Sequence, residues 1–338
     1  MEVPVGIHRR VGPIALALLV LGGGLQATVI KVGTIVPERS PWDNALNEIA
    51  AEWFKITNGA VVLKIYPGGV AGSEHEMLRL MRLGTLDGVV VTNIGVTRLN
   101  PNLYVLNIPF LLDSRREFDY LMDRMEPAFV KPLEDKGIKV VLRVLAGWLY
   151  FFAKEPFVYP EDFRKFRISL VSGEPGLEEA FKAMGYRVIP IDIKDMMMAL
   201  QSGLVSAIYF PPLIAASAQF FALAPHMLDL PASLMIGWFL LNGSVWERVP
   251  PAYREPMERA VLKASENLLK KTDELEADVM RVMKDNGLII HEAPADAWDR
   301  WRVLSLKAIE KMTGAAYPRA IYDQAVALLE EFRRTHGR

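Results

Sequence analysis

Gly147-Trp148-Leu149-Tyr150-Phe151-Phe152 opens the stretch that decides the fold. It continues through Pro160-Glu161-Asp162-Phe163-Arg164-Lys165-Phe166-Arg167-Ile168-Ser169. It closes with Ala199-Leu200-Gln201-Ser202-Gly203-Leu204-Val205-Ser206-Ala207-Ile208-Tyr209-Phe210-Pro211. The apolar runs and their Pro and Gly boundaries predict a strand, a second strand, a helix, and a strand that returns to a cleft.

Working outward toward the N-terminus, Thr28-Val29-Ile30-Lys31-Val32-Gly33-Thr34 is rich in β-branched residues and reads as the first strand. Ser40-Pro41-Trp42-Asp43 announces a helix: Ser40 caps, Pro41 suits the first helical position, and Asp43 completes a capping box. Leu46, Ile49, Ala50, Trp53 and Phe54 then fall on one helical face, and Asn58-Gly59 stops the helix. A strand over 61–66 follows, so the chain begins β-α-β, which favours a mostly parallel sheet. The glycine-rich turn 67–72 precedes a second capping box, Ser73-Glu74-His75-Glu76. That turn lacks the Lys-Ser/Thr ending of a phosphate-binding loop. Consecutive helical residues point in different directions, so Glu74, His75 and Glu76 cannot converge on one metal ion. They are expected at the surface beside the cap. A helix over 73–83, a strand over 86–91, helices over 114–124 and 126–136, and a strand over 138–142 lead to the opening stretch. Thr92 and Asn93 follow the strand over 86–91, where strand ends of an open sheet face a cleft, so Asn93 is a candidate polar contact.

On the C-terminal side, residues 251–286 carry one long helical pattern, about 50 Å at the usual rise per residue. The alternative is two helices broken near Lys271-Thr272-Asp273. A short strand at 288–290 and helices over 295–312 and 318–334 complete the chain. No internal repeat, low-complexity segment or flexible linker is visible. Two domains are expected from 338 residues, and they are expected to be interwoven.

The balance of 39 basic and 40 acidic residues gives a net charge of -1, which offers no field for nucleic acid or an anionic membrane. There are no cysteines, so disulfides, thiolate nucleophiles, Cys-ligated zinc and an N-terminal lipidated cysteine are excluded. His8-Arg9-Arg10, the apolar run 11–24 and the small residue Ala27 have the anatomy of a cleaved signal peptide. The alternative is a membrane anchor, but the run is shorter than the roughly 20 residues a spanning helix needs. The mature protein is therefore expected in the periplasm. The histidines are scattered without metal spacing, and no nucleophile-elbow motif appears. No cofactor, metal or catalytic residue is predicted, and the protein is expected not to be an enzyme.

Several pieces, taken together and in order, resemble the periplasmic solute-binding proteins of TRAP (tripartite ATP-independent periplasmic) transporters. They are Ser40-Pro41-Trp42, Thr57-Asn58-Gly59, Tyr66-Pro67-Gly68-Gly69, Ser73-Glu74, Arg82-Leu83-Gly84, Asp87-Gly88, Ile108-Pro109-Phe110, Ala199-Leu200-Gln201-Ser202-Gly203 and Trp246-Glu247-Arg248-Val249-Pro250. The resemblance implies an α/β, two-domain periplasmic binding protein-like fold. Each domain would be a mixed sheet flanked by helices, with a long helix spanning both. Residues 28–145 and 236–275 would form domain I, and 146–235 with 276–338 domain II, after a signal peptide over 1–27. It implies hinge closure on a small-molecule ligand and delivery to the membrane subunits of the transporter, with a periplasmic helical-repeat helper as a further partner.

The same resemblance locates the ligand site and shows where this chain departs from it. Family members that take carboxylates clamp them with an arginine in a pattern similar to Asp-Leu-Lys-Gly-Leu-Lys-Ile-Arg. Setting Asp162 on that aspartate puts Ser169 on the clamp and Arg167 two positions before it. Arg167 and Ser169 share a strand face, so Arg167 is an alternative clamp. The family's return strand carries an asparagine where Phe210 stands here, and a further arginine of some members falls on Trp148. These changes suggest a pocket lined by Trp148, Tyr150, Tyr209, Phe210 and Trp238. A carboxylate buried there without a cation would be costly, whereas an apolar ligand gains about 25 cal/mol per Å² removed from water. A hydrophobic or amphipathic solute is therefore expected. The competing possibilities are that these aromatics are core, that Arg167 clamps a carboxylate after all, or that the protein is a periplasmic sensor or scaffold. Met196-Met197-Met198 is expected in the core rather than on the ligand.

Overall fold

The computed structural model describes residues 27–171 and 175–336. The expected signal peptide, apart from Ala27, lies outside them. The chain runs β1 (Thr28–Thr34), α1 (Pro41–Ile56), β2 (Val61–Tyr66), α2 (Glu74–Arg82), β3 (Gly88–Thr92) and α3 (Asn93–Thr97). It continues with α4 (Arg115–Glu134), β4 (Ile138–Ala153), α5 (Pro160–Phe163), β5 (Arg167–Val171), α6 (Pro175–Ala183), β6 (Arg187–Ile191), α7 (Met196–Gln201) and β7 (Ala207–Phe210). It ends with α8 (Pro212–Ser217), β8 (His226–Asp229), β9 (Ser233–Asn242), α9 (Gly243–Glu247), α10 (Pro251–Asp285), β10 (Ile289–Glu292), α11 (Ala295–Met312) and α12 (Arg319–His336).

The strand order is β2-β1-β3-β9-β4-β7-β5-β6. β1 pairs parallel with β2 and β3, as the β-α-β start requires. β9 enters antiparallel between β3 and β4. β7 pairs antiparallel with β4 and carries the parallel pair β5 and β6. β8 takes the edge of β4 beyond β9 and holds β10. β4 is therefore shared by two groups of strands, one lying at each of its ends.

β4 is a single strand of 16 residues, where the sequence suggested two separated by a loop. Register shifts between Val140 and Leu142 and between Leu145 and Gly147 mark bulges that bend it. Gly147, at φ 133°, supplies the conformation at the second shift. The helices expected over 114–124 and 126–136 are likewise one helix, α4, which runs through Pro127 and Pro132. α10 is unbroken over 35 residues, about 50 Å. It packs against α1, α8 and β4, the strand that both groups share.

The predicted caps are present with one change. Ser40 Oγ accepts from Asp43 N–H, but the Asp43 carboxylate takes the Arg39 N–H, so the reciprocal box is not closed on Ser40 itself. At α2 the box is complete: Ser73 N–H donates to Glu76 Oε2 at 2.7 Å and Glu76 N–H to Ser73 Oγ at 3.4 Å. On α1, Leu46, Ile49 and Trp53 are buried as expected, but Phe54 is 53% exposed because it lies on the rim of the apolar face.

Candidate ligand-binding cleft

Two short polar junctions and two strands converge on a small pocket. β3 ends at Thr92 and α3 begins at Asn93, whose Oδ1 accepts from Ile236 N–H of β9 at 3.1 Å. That bond fixes the β3-α3 corner to the central strand. Asn107 ends a 3₁₀ turn, Pro101–Asn107, and its amide is buried with neither oxygen nor nitrogen bonded to protein. Tyr209 of β7 reaches in from the other side, its ring stacked on Phe151 at 4.7 Å. The hydroxyls of Tyr209 and of Ser233, the first residue of β9, are buried and interact with each other but with no further protein hydrogen-bond partner. Desolvation pushes the Tyr209 hydroxyl pKa well up, so it stays protonated. Leu149, Leu170, Leu177, Leu234 and Met235 complete the wall.

Thr92 and Met235 also line an adjoining groove of about 860 Å³. Its other walls are Ile35-Val36-Pro37 after β1, Trp42, Ala45, Leu46 and Ile49 of α1, Leu142, Val144 and Ala146 of β4, and Gly237 and Phe239 of β9. Ile193 and Ile214 close it from the opposite group of strands. No lining residue of the pocket or groove is charged, among the described residues.

Beyond Ile35, Pro37 and Ile193 the cleft turns polar, with Gly68, Gly69, Gly72, Ser73, Glu74, Asp192 and Lys194. Glu74 is 5% exposed, contrary to the surface position its sequence suggested. Thr92 donates to its carboxylate twice, from N–H at 2.6 Å and from Oγ1 at 3.0 Å. Desolvation is the largest influence and raises its pKa to about 6, against the lowering effect of bonds from Thr92 and Gly95. Gly95 permits this approach, since a Cβ there would lie 2.9 Å from Glu74 Oε2.

Residues 32–314 match the family described as DctP: Bacterial extracellular solute-binding protein, family 7. The chain belongs to this family. It is 22% identical over 298 residues to the C4-dicarboxylate-binding periplasmic protein DctP of Rhodobacter capsulatus, covering 86% of this chain and 88% of that one. An uncharacterized protein of Haemophilus influenzae is 25% identical over 211 residues, 62% of this chain, and the match spans 64% of that relative's length. A TRAP periplasmic solute-binding protein of Desulfovibrio salexigens, solved with bound orotic acid, superposes with a TM-score of 0.82. It is 22% identical, with 91% of this chain and 99% of that chain covered. The two-domain periplasmic binding protein fold expected from the sequence is thus the fold observed, and the family is one of binding proteins rather than enzymes.

In this solute-binding protein the eight residues suggested by sequence do not form one site. Asn93 and Tyr209 line the pocket. Trp148 lies on the opposite face of β4 from Leu149, in a polar groove with Arg115, Pro211, Asp273 and Glu276 that meets the apolar groove at Ala146. Tyr150 shares that face, and its hydroxyl pKa is raised by burial and by Glu276 and Asp229. Phe210 alternates away from Tyr209 and packs on Phe220. Trp238 is fully buried on the β9 face opposite Met235, Gly237 and Phe239. Arg167 is exposed, and its guanidinium is bound to the carbonyls of Gly203 and Leu204. Ser169 is buried with an unpartnered hydroxyl, while its neighbour Leu170 lines the pocket. Among the methionines, Met196 is buried but Met198 is 70% exposed.

Asn107, Ser233 and Glu74 were missed. Each carried a signal. Asn107 and Ser233 are single polar residues inside apolar runs, Leu103 to Ile108 and Ala232 to Leu241. Glu74 stands in helical step with Met77, Leu78 and Met81, the buried face of α2.

Proposed function

We propose that the protein is the periplasmic receptor of a TRAP-type transporter and that it closes around a hydrophobic or amphipathic small molecule for delivery to the membrane subunits. The observation that carries the ligand class is the uncharged groove of about 860 Å³ that adjoins the pocket. The comparison proteins are named for acidic ligands, a C4-dicarboxylate and orotic acid. Here Arg167 spends its donors on backbone carbonyls, and no cation lines pocket or groove among the described residues. An anion entering there would lose its hydration without a countercharge. An apolar chain would gain from every Å² it removes from water. A poorly soluble ligand also fits hand-over from a periplasmic helical-repeat partner.

Native mass spectrometry of the purified protein, followed by organic extraction, tests this. The expected result is a co-purifying apolar molecule that is lost in Ile193→Glu, which places a charge at the groove without touching the central sheet. A protein stabilised only by small carboxylates, with that response abolished in Arg167→Ala, would overturn it.

A further inference from the structure

The pocket and the groove differ in chemistry although they share Thr92 and Met235. In the groove every wall is apolar apart from Thr92 and the Trp42 indole N–H. In the pocket, Asn107 Oδ1 and Nδ2 have no protein partner, and Tyr209 Oη and Ser233 Oγ have none beyond each other. Their residues are 6%, 8% and 5% exposed respectively. Buried polar groups in folded proteins are nearly always fully hydrogen-bonded, so an orphaned amide beside two hydroxyls that reach only each other points to a missing partner. Together they offer both donors and acceptors, and none carries charge.

From this we infer that the pocket holds an uncharged head group that both donates and accepts hydrogen bonds, a hydroxyl or primary amide, while the ligand's apolar tail lies in the groove. The inference rests on the apolar-groove reading above and adds the chemistry of the head. A hydroxyl or amide can both give and receive bonds, which matches the Asn107 amide and the two hydroxyls. A carboxylate can only accept, so it would leave Asn107 Oδ1 without a donor, and it would find no countercharge in the lining. It would also approach Thr92, whose N–H and hydroxyl are already committed to the Glu74 carboxylate. A bare alkane would leave the Asn107 amide unsatisfied and the two hydroxyls with only each other, the situation that makes polar sites reject ligands lacking the matching group.

The test is a tail-matched series, 1-octanol, octanamide, octane and octanoate, added to the full-length mature protein at about pH 8, where the acid is ionised. Binding is read by calorimetry or by the ligand-dependent shift in Tm. The expected result is that octanol and octanamide bind at least about tenfold tighter than octane or octanoate. Tyr209→Phe and Asn107→Leu are expected to narrow the gap between octanol and octane, weakening the first and favouring the second. Tyr209→Phe deletes one hydroxyl that reaches only the Ser233 hydroxyl, so the Tm of the unliganded protein is expected to change little. Octanol and octane binding equally, or octanoate binding tightest, would overturn the head-group assignment while the apolar groove stands. Failure of both variants to narrow the gap would also overturn it. If no member of the series binds, the groove reading fails as well.

Discussion

Glu74 illustrates what burial does to one residue. Ser73 caps α2, which turns the next side chain inward onto the face that holds Met77, Leu78 and Met81. The carboxyl is then desolvated, and its pKa rises from 4.5 to about 6 despite the bonds from Thr92. The unfolded carboxyl loses its proton first as pH rises, so ionisation between these two values favours the unfolded chain. The protonated form's stability advantage is complete below about 4.5, falls as pH climbs through about 6, and is lost above it. The shift corresponds to about 2 kcal/mol. Glu74→Gln cannot ionise. Urea unfolding at acid and neutral pH is therefore expected to show the variant gaining about 2 kcal/mol on the wild type across that window. A constant difference between the two proteins would show that the carboxylate is not destabilised by burial. The position was legible as a helix start but not as a buried acid, because a cap signal and a buried-face signal coincide on the same turn.

At the scale of elements, α4 shows how the fold accommodates a sequence that argues against it. Pro132 has no N–H, so Ala128 loses its intrahelical partner four residues on. Asn100 and Asn102, just outside and inside the 3₁₀ turn, donate their amides to the Ala128 carbonyl at 2.9 and 3.0 Å. Asn100 also bonds Phe129 O at 2.9 Å. Those residues are nearly thirty positions away, so the local sequence does not show how the carbonyl freed by Pro132 is satisfied, and the break expected from sequence lay near 125, just before Pro127. Asn100→Leu is expected to cost about 1–3 kcal/mol in chemical denaturation. In a Pro132→Ala background the cost is expected to shrink, since the helix regains its own donor to Ala128. Equal costs in both backgrounds would show that the asparagine does not serve the proline break. β9 makes the complementary point. Ser233-Leu234-Met235-Ile236-Gly237-Trp238-Phe239-Leu240-Leu241 has no alternation, because nearly every residue on both faces is buried between β3 and β4. A central strand without period two offers no pattern to read.

At the scale of the molecule, the last helix returns to fix the entry to α4. Arg333 donates to both oxygens of Glu117, at 2.7 and 2.8 Å, and to Leu111 O at 2.8 Å. Glu117 is nearly buried and also accepts from Asp113 N–H. Arg333→Ala would strand that carboxylate, at an expected cost of roughly 2–3 kcal/mol in urea unfolding. Glu117→Gln is expected to be milder, and a loss below about 0.5 kcal/mol for Arg333→Ala would show the pair to be superficial. The family-like order of turns, caps and strands, together with helices α1, α10, α11 and α12, was carried by the sequence, because these features follow from local periodicity and capping. The aromatic residues of the return strands were legible as buried. Which of them face the cleft was not. Alternation along β4 and β7 sends Leu149 and Tyr209 to the pocket and Trp148, Tyr150 and Phe210 away from it. That choice depends on bulges in β4 and on which strand pairs beside it, both of which are long-range. The sequence by itself determined the family and most of the order of elements. Only the tertiary structure decided that Thr92, Asn107, Tyr209 and Ser233 share one pocket, since packing of distant segments brings their polar atoms to the same void.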